Sequence, residues 1–228
     1  MPVFRLTKKL LFPSPDLAEE DGLLAVGGDL GPRRLALAYA HGIFPWYSNG
    51  SPILWWSPDP RLILIPGELR VSQRLSRTIR KGIYRVTLDT AFREVIRACA
   101  EVHRKKDGGT WITKEMIEAY TRLHELGIAH SIESWYGEGL AGGMYGVSLG
   151  GAFFGESMFT QRSDASKVAL VHLVQYLTGW NFTLIDCQVT TGHMIRFGAR
   201  EVPRREFLDR LEKALTQPGR YGVWTTGP

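Results

Sequence analysis

Gly142 to Phe159, GGMYGVSLGGAFFGESMF, is an apolar and glycine-rich run interrupted by Ser148, Glu156 and Ser157, with turn residues at Leu149-Gly150-Gly151, and Ala129 to Tyr136 precedes it across a Gly137-Glu138-Gly139 turn. Short apolar runs punctuated by glycine turns predict an antiparallel meander whose last two strands form a hairpin. On either side the period becomes helical. Val71 to Lys81, the stretch marked by Phe92, Val95, Ile96 and Cys99, Thr113 to Leu126, Val168 to Leu177 and about Arg204 to Leu215 are the predicted helices. Gly127 and Gly179 suit the left-handed stops of two of them, and Asp164 and Ser166 can cap a third. Leu62 to Ile65, Tyr84 to Leu88 and Phe182 to Val189 read as further strands, with a short helical piece near His193 to Phe197. His103 to Gly109, HRKKDGG, reads as a polar loop.

The chain opens differently. Residues 1–30 are rich in Pro and Gly, which predicts an irregular, tightly turned segment. Asp29 to Gly42 then reads as a helix, with Pro32 tolerated in its first turn. Ile43 to Arg61, IFPWYSNGSPILWWSPDPR, holds four prolines and three tryptophans, too much rigid aromatic surface for a plain linker. The composition changes at Leu62, so the expected division is a small amino-terminal domain, 1–61, followed by a larger domain, 62–228. Helices, then a meander, a helix and another strand give an α+β (α/β) fold with at least one βα crossover. That order resembles the acyltransferase fold of the GNAT superfamily.

Composition narrows the class only a little. With 44% hydrophobic and 22% charged residues the chain suits an ordinary soluble protein with a substantial core. No apolar run approaches the ~18 residues that span a bilayer, and the start lacks a signal-peptide h-region. A cytoplasmic location, with no membrane partner, is the expectation. Cys99 and Cys187 stand far apart without metal-ligand spacing, so neither a zinc site nor a disulfide is expected. The net charge of +5 does not by itself imply nucleic acid. Its distribution says more: Arg74, Arg77, Arg80 and Lys81 fall at about one-turn spacing, and no acid lies between Glu68 and Asp89. Such a face suits a phosphate backbone, although a charge run is usually just a solvated surface.

Candidate chemistry gathers on two strands. Glu156 stands in a run otherwise made of Gly, Ala, Ser, Phe and Met, where a carboxylate must find a partner or shift its pKa. Asp186 and Gln188 are two apart on the strand Leu184 to Val189, so they are expected on one face, with Ile185 and Cys187 on the other. In a GNAT-like sheet the two strands would lie close together. Two acids and an amide would then converge, which suits holding an amine or another cation. Trp55 and Trp56 read as staples of the amino-terminal segment. Trp46 and Trp111 could offer faces on which a nucleobase stacks.

Together GIFPWYSNGSPILWWSPDPR, GTWIT, AYTRLHELGIAHSIE, GGMYGVSLGGAFFGESMF, ASK and IDCQV with His193 resemble the leucyl/phenylalanyl-tRNA–protein transferase family over nearly the whole chain. The resemblance implies a cytoplasmic enzyme that moves Leu, Phe or, less well, Met from Leu-tRNA or Phe-tRNA to proteins with an amino-terminal Arg or Lys, feeding the N-degron pathway. It implies no cofactor: neither acetyl-CoA nor ATP nor metal. Matching positions suggest Asp186 and Gln188 as the catalytic pair and Glu156 as the acidic part of the acceptor site. They suggest Met144, Phe153, Met158, Leu170 and Ile185 as the aminoacyl pocket, and Trp46, Trp111, Tyr39 and Tyr120 around the terminal adenosine. Arg74, Arg77, Arg80 and Lys81 would meet the tRNA backbone, and the enzyme is expected to be a monomer. Thr191 and Arg196 depart from the family's usual Asn and Ser. Leu173 and Leu177 stand where some relatives carry Phe, which implies a roomier pocket. A GNAT-type N-acetyltransferase and a non-catalytic RNA-binding module are the alternatives. Against the first, Phe159 to Ser166 lacks the glycine turn that holds a pyrophosphate; against the second, it leaves Glu156, Asp186 and Gln188 unexplained.

Overall fold

The computed structural model describes residues 3–107 and 110–225, apart from the side chains of 103–107. The amino-terminal stretch builds a four-stranded sheet from β1 (Phe4–Leu6), β2 (Leu23–Gly27), β3 (Phe44–Pro45) and β4 (Leu54–Trp56), in the order β1-β2-β4-β3, with α1 (Pro32–Ala40) between β2 and β3. Strands thus run through segments whose Pro and Gly content predicts irregular chain. They are only two to five residues long, too short to leave a periodic signature, and their stability is tertiary. Trp55, fully buried, donates from Nε1 to the Gly27 carbonyl at 2.8 Å and meets Phe12 edge-on at 4.9 Å. Trp56 donates to the Trp46 carbonyl at 2.6 Å.

The larger sheet has seven strands: β5 (Arg61–Leu64), β6 (Arg85–Leu88), β7 (Ala129–Tyr136), β8 (Gly139–Leu149), β9 (Ala152–Thr160), β10 (Leu184–Gln188) and β11 (Arg200–Val202). Their order is β11-β5-β10-β9-β8-β7-β6, antiparallel except where β10 runs parallel to β9. The crossover between that parallel pair is α5 (Ala165–Gly179). The other helices are α2 (Gln73–Arg80), α3 (Phe92–Asp107), α4 (Lys114–Glu125), α6 (Gly192–Arg196) and α7 (Arg204–Leu215). The polar stretch after residue 102 is helical as far as Asp107 rather than a loop, since Arg and Lys are good helix formers and no breaker precedes Gly108; Gly108 and Gly109 lie outside the described residues. β11 is three residues long, too short to leave a period in the sequence.

Alternation along the strands sends neighbours into two cores. Phe153 packs with Met144, Ile185, Leu170 and Trp224 beneath α5, while Phe154 joins Tyr39, Tyr145 and Trp55 beneath α1, α3 and α4. The second core takes residues from both sides of position 61, so packing is continuous from the small sheet to the large one. Among the described residues, no helix is long and apolar enough to cross a membrane.

Candidate active site

The site begins where the parallel pair comes apart. Pairing of β9 with β10 ends at Phe154 opposite Asp186, yet β9 runs on to Thr160. On its other side β9 keeps to β8, with Tyr145 opposite Ser157 but Gly146 opposite Gly155, so Glu156 is the extra residue of a β-bulge. Period-two alternation carries Phe154 and Glu156 to one face, and the bulge sends Met158, beyond it, to the Phe153 side instead. Glu156 therefore lies on the Tyr39 side of the sheet, as Phe154 does. Gly146 is required opposite the bulge, because a Cβ there would come within 2.2 Å of the Phe154 carbonyl oxygen.

Between the parted strands is a cavity of about 560 Å³. Met144, Met158, Leu170 and Ile185 form an apolar wall, Glu156 and Gln188 line it, and Trp46 and Trp111 line it beside Phe44 and Pro45. Trp46 is 42% exposed and packs at 5.9 Å on Trp56. Cys187, Val189, Thr191, His193 and Met194 complete the side made by β10 and α6.

Glu156 is 9% exposed. Its Oε1 accepts from the Tyr39 hydroxyl at 2.7 Å and from Gln188 Nε2 at 2.8 Å, and Tyr39 and Tyr120 share a short hydroxyl–hydroxyl contact. Burial pushes the Glu156 carboxyl up from 4.5 to about 7, against the pull of the hydrogen bonds from Tyr39, Gln188 and Tyr120. Burial, with Glu156 beside them, also holds the Tyr39 and Tyr120 hydroxyls protonated. An ionised carboxylate accepts only, so the Gln188 amide turns its NH₂ to Glu156 and keeps its carbonyl oxygen as an acceptor.

Asp186 is fully buried and lies away from the cavity. Its carboxylate is engaged by Arg61, Nε to Oδ1 at 2.8 Å and Nη2 to Oδ2 at 2.6 Å. The Arg61 guanidinium lies over the rings of Phe44 and Phe207, at 4.9 and 4.5 Å. Asp186 Oδ1 also accepts the Gln188 backbone N–H at 2.9 Å, which fixes Gln188 at φ 61°. A non-glycine residue in that left-handed region is strained. The two acids therefore do not converge on one cation: Glu156 faces the cavity, and Asp186 shapes the strand end that carries Gln188.

Several other expected positions differ. Tyr39 and Tyr120 are fully buried behind Glu156 and do not line the cavity, so they support the acid rather than an adenosine. Phe153 is 1% exposed and sits behind the apolar wall, 6.0 Å from Trp224. Leu173 and Leu177 lie in the core further along α5 and do not line the cavity. Arg74, Arg77, Arg80 and Lys81 are exposed along and just after α2, outside the cavity. Two contributors were not assigned a role from sequence. Arg61 carries no sequence signal, being one arginine in a Pro-rich stretch, and His193 stands out in the sequence only as part of a motif. Its Nε2 is buried and has no hydrogen-bond partner among the described residues. Burial, then Lys167 and Arg196, lower its pKa, so the imidazole is neutral. Among the described residues no group of His, Cys, Asp and Glu is placed to hold a metal ion.

A mixed sheet parted at its parallel pair, with an acid and an amide facing an apolar wall, makes a site that can hold an apolar group beside a polar one. Family profiles described as leucyl/phenylalanyl-tRNA protein transferase and its N-terminal domain match residues 63–212 and 28–59. A leucyl/phenylalanyl-tRNA–protein transferase of an Anaeromyxobacter species is 64% identical over 224 residues, covering 98% of this chain and 95% of that protein. One from Syntrophobacter fumaroxidans is 61% identical over 217 residues, covering 95% and 93%. A solved aminoglycoside acetyltransferase from a soil metagenome overlaps loosely, at a TM-score of 0.41 and 12% identity, over 52% of this chain and 86% of that one. The chain belongs to the leucyl/phenylalanyl-tRNA–protein transferase family, and it is an aminoacyltransferase.

Proposed function

We propose that this aminoacyltransferase moves Leu or Phe, and less well Met, from the 3′ end of Leu-tRNA or Phe-tRNA to the α-amino group of proteins that begin with Arg or Lys. It acts as a cytoplasmic monomer and marks those proteins for N-degron turnover. The observation that carries this reading is the cavity itself, where an apolar wall of two methionines, a leucine and an isoleucine meets Glu156 and Gln188. Unbranched, polarizable Met side chains adapt to either Leu or Phe.

The ester is already activated, so the chemistry asks mainly for position. The aminoacyl side chain lies on the apolar wall, and the adenosine stacks near Trp46 and Trp111. The neutral acceptor amine attacks the ester carbonyl carbon, the C–N bond forms, and the bond to the ribose oxygen breaks. The amine gives up one proton and the ribose oxygen gains one. Gln188 accepts an amine N–H through its amide oxygen. Ionised Glu156 attracts the amine and can take its proton in passing, since its pKa of about 7 is close to working pH. Asp186 is a positioning residue, acting through the Gln188 backbone.

Competition tests the substrate class: unlabelled Phe-tRNA should displace Leu-tRNA from transfer, while Ala-tRNA at the same concentration should not. Equal displacement by Ala-tRNA would remove the aminoacyl pocket. The exposed α2 cations fit the acceptor-stem backbone. Arg77→Ala should weaken tRNA binding and lower the slope of log affinity against log salt by about 1, with turnover at saturation unchanged. An unchanged slope would make that helix a solvated face.

A further inference from the structure

Beside the cavity mouth the structure carries an aromatic and basic cluster that the reaction described above does not use. Arg162 follows the end of β9 and places its guanidinium 3.7 Å over the ring of Tyr136. Tyr136 is 45% exposed, and Tyr84 meets it edge-on at 6.3 Å. The Tyr84 hydroxyl donates to the Ser163 carbonyl at 2.7 Å, which ties the segment before β6 to the β9–α5 loop. Arg162 is exposed and, among the described residues, forms no salt bridge. Of the nearby acids, Asp164 is engaged by Lys167 at 2.7 Å and Glu138 lies in the exposed turn after Tyr136.

The cluster sits between two features already placed. Thr160, which lines the cavity, donates its hydroxyl to the Arg162 carbonyl at 2.8 Å. Tyr84 follows the basic helix by only a few residues, with Arg80 and Lys81 just before it. The cluster thus adjoins the cavity through Thr160 and the end of α2 through Tyr84. An exposed ring with a stacked, unneutralised guanidinium is the surface on which an unpaired base stacks while the charge answers a phosphate.

We propose that Tyr136 and Arg162 form a stacking platform for the single-stranded nucleotides that precede the terminal adenosine of the tRNA. The platform rests on the transferase reading, because that reading places the terminal adenosine in the cavity. It makes the tRNA 3′ end a three-point contact: stem on α2, unpaired cytidines on Tyr136 and Arg162, aminoacyl-adenosine in the cavity.

The test compares two donors, Leu-tRNA and leucyl-adenosine, which lacks the preceding nucleotides. Tyr136→Ala and Arg162→Ala should each raise KM for Leu-tRNA on the order of tenfold, with kcat within about twofold, as loss of one base stack implies. With leucyl-adenosine both variants should match the wild type, and Tyr136→Phe, which keeps the ring, should match it with both donors. An unchanged KM for Leu-tRNA, or an equal loss with leucyl-adenosine, would overturn the platform. No transfer by the wild type from either donor would instead remove the reading beneath it, and the platform with it.

Discussion

Asp186→Ala is expected to lower the midpoint of thermal unfolding by roughly 10 °C and turnover by at least about tenfold. The first effect follows from burial. Removing one partner of a dry ion pair leaves the other charge without compensation, at a cost of about 3–5 kcal/mol, and each kcal/mol moves the midpoint by about 2–4 °C in a chain of this size. Arg61→Ala should do the same, because Arg61 and Asp186 are both fully buried and joined by two hydrogen bonds. The second effect follows from Gln188, whose left-handed backbone is held by its N–H to Asp186. Replacing Arg61 and Asp186 together by Leu separates the two. Two packed hydrophobic side chains should recover most of the stability, since a buried ion pair is often no better than its apolar isostere. Turnover should stay low, because the anchor of Gln188 is still missing. Recovery of both would reduce the pair to a structural staple.

Glu156→Gln should reduce the single-turnover rate by about a hundredfold at saturating donor, the lower range for loss of a proton-handling group. The shape of the pH profile is more telling than the size. In the wild type the rate should climb as pH rises through about 7, where Glu156 ionises. The acceptor amine adds its own climb near ~8. The variant should keep only the second. Stability gives an independent check with a defined sign. The folded-state pKa lies above the unfolded value of 4.5, at about 7, so the native state holds the extra proton between them. The contribution of Glu156 is then fully present below pH 4.5 and lost as pH rises through about 7. That loss is on the order of 3 kcal/mol, and Glu156→Gln should not show it.

What could be read from the sequence divides by range. The meander, the crossover helix and the terminal helix were legible because their periods run over many residues. The short strands of the amino-terminal sheet were not, since two to five residues among prolines carry no period and are held by contacts such as Trp55 to Gly27. The candidate site shows the same limit. Glu156 stood out as an acid in an apolar strand, and Gln188 lies against it. The bulge at Glu156, which brings Met158 to the Phe153 side of the sheet, depends on the pairing register with β8, to which a single strand gives no clue. Asp186 looked like a second acid for an incoming cation because its real partner, Arg61, is 125 positions away in the chain. Phe153 and the two tyrosines were placed one layer too close to the ligand, since apolar sequence pattern does not distinguish a cavity wall from the layer behind it.

The most direct measurement is transfer of radiolabelled Leu from Leu-tRNA to a protein beginning with Arg, beside an otherwise identical protein beginning with Ala, with the product's amino terminus read by mass spectrometry. One Leu joined by an amide bond to the α-amino group of the Arg-initiated protein, and none on the control, is the expected result. Equal labelling of the two proteins, or labelling of neither, would contradict the assignment of the cavity as an aminoacyl-transfer site.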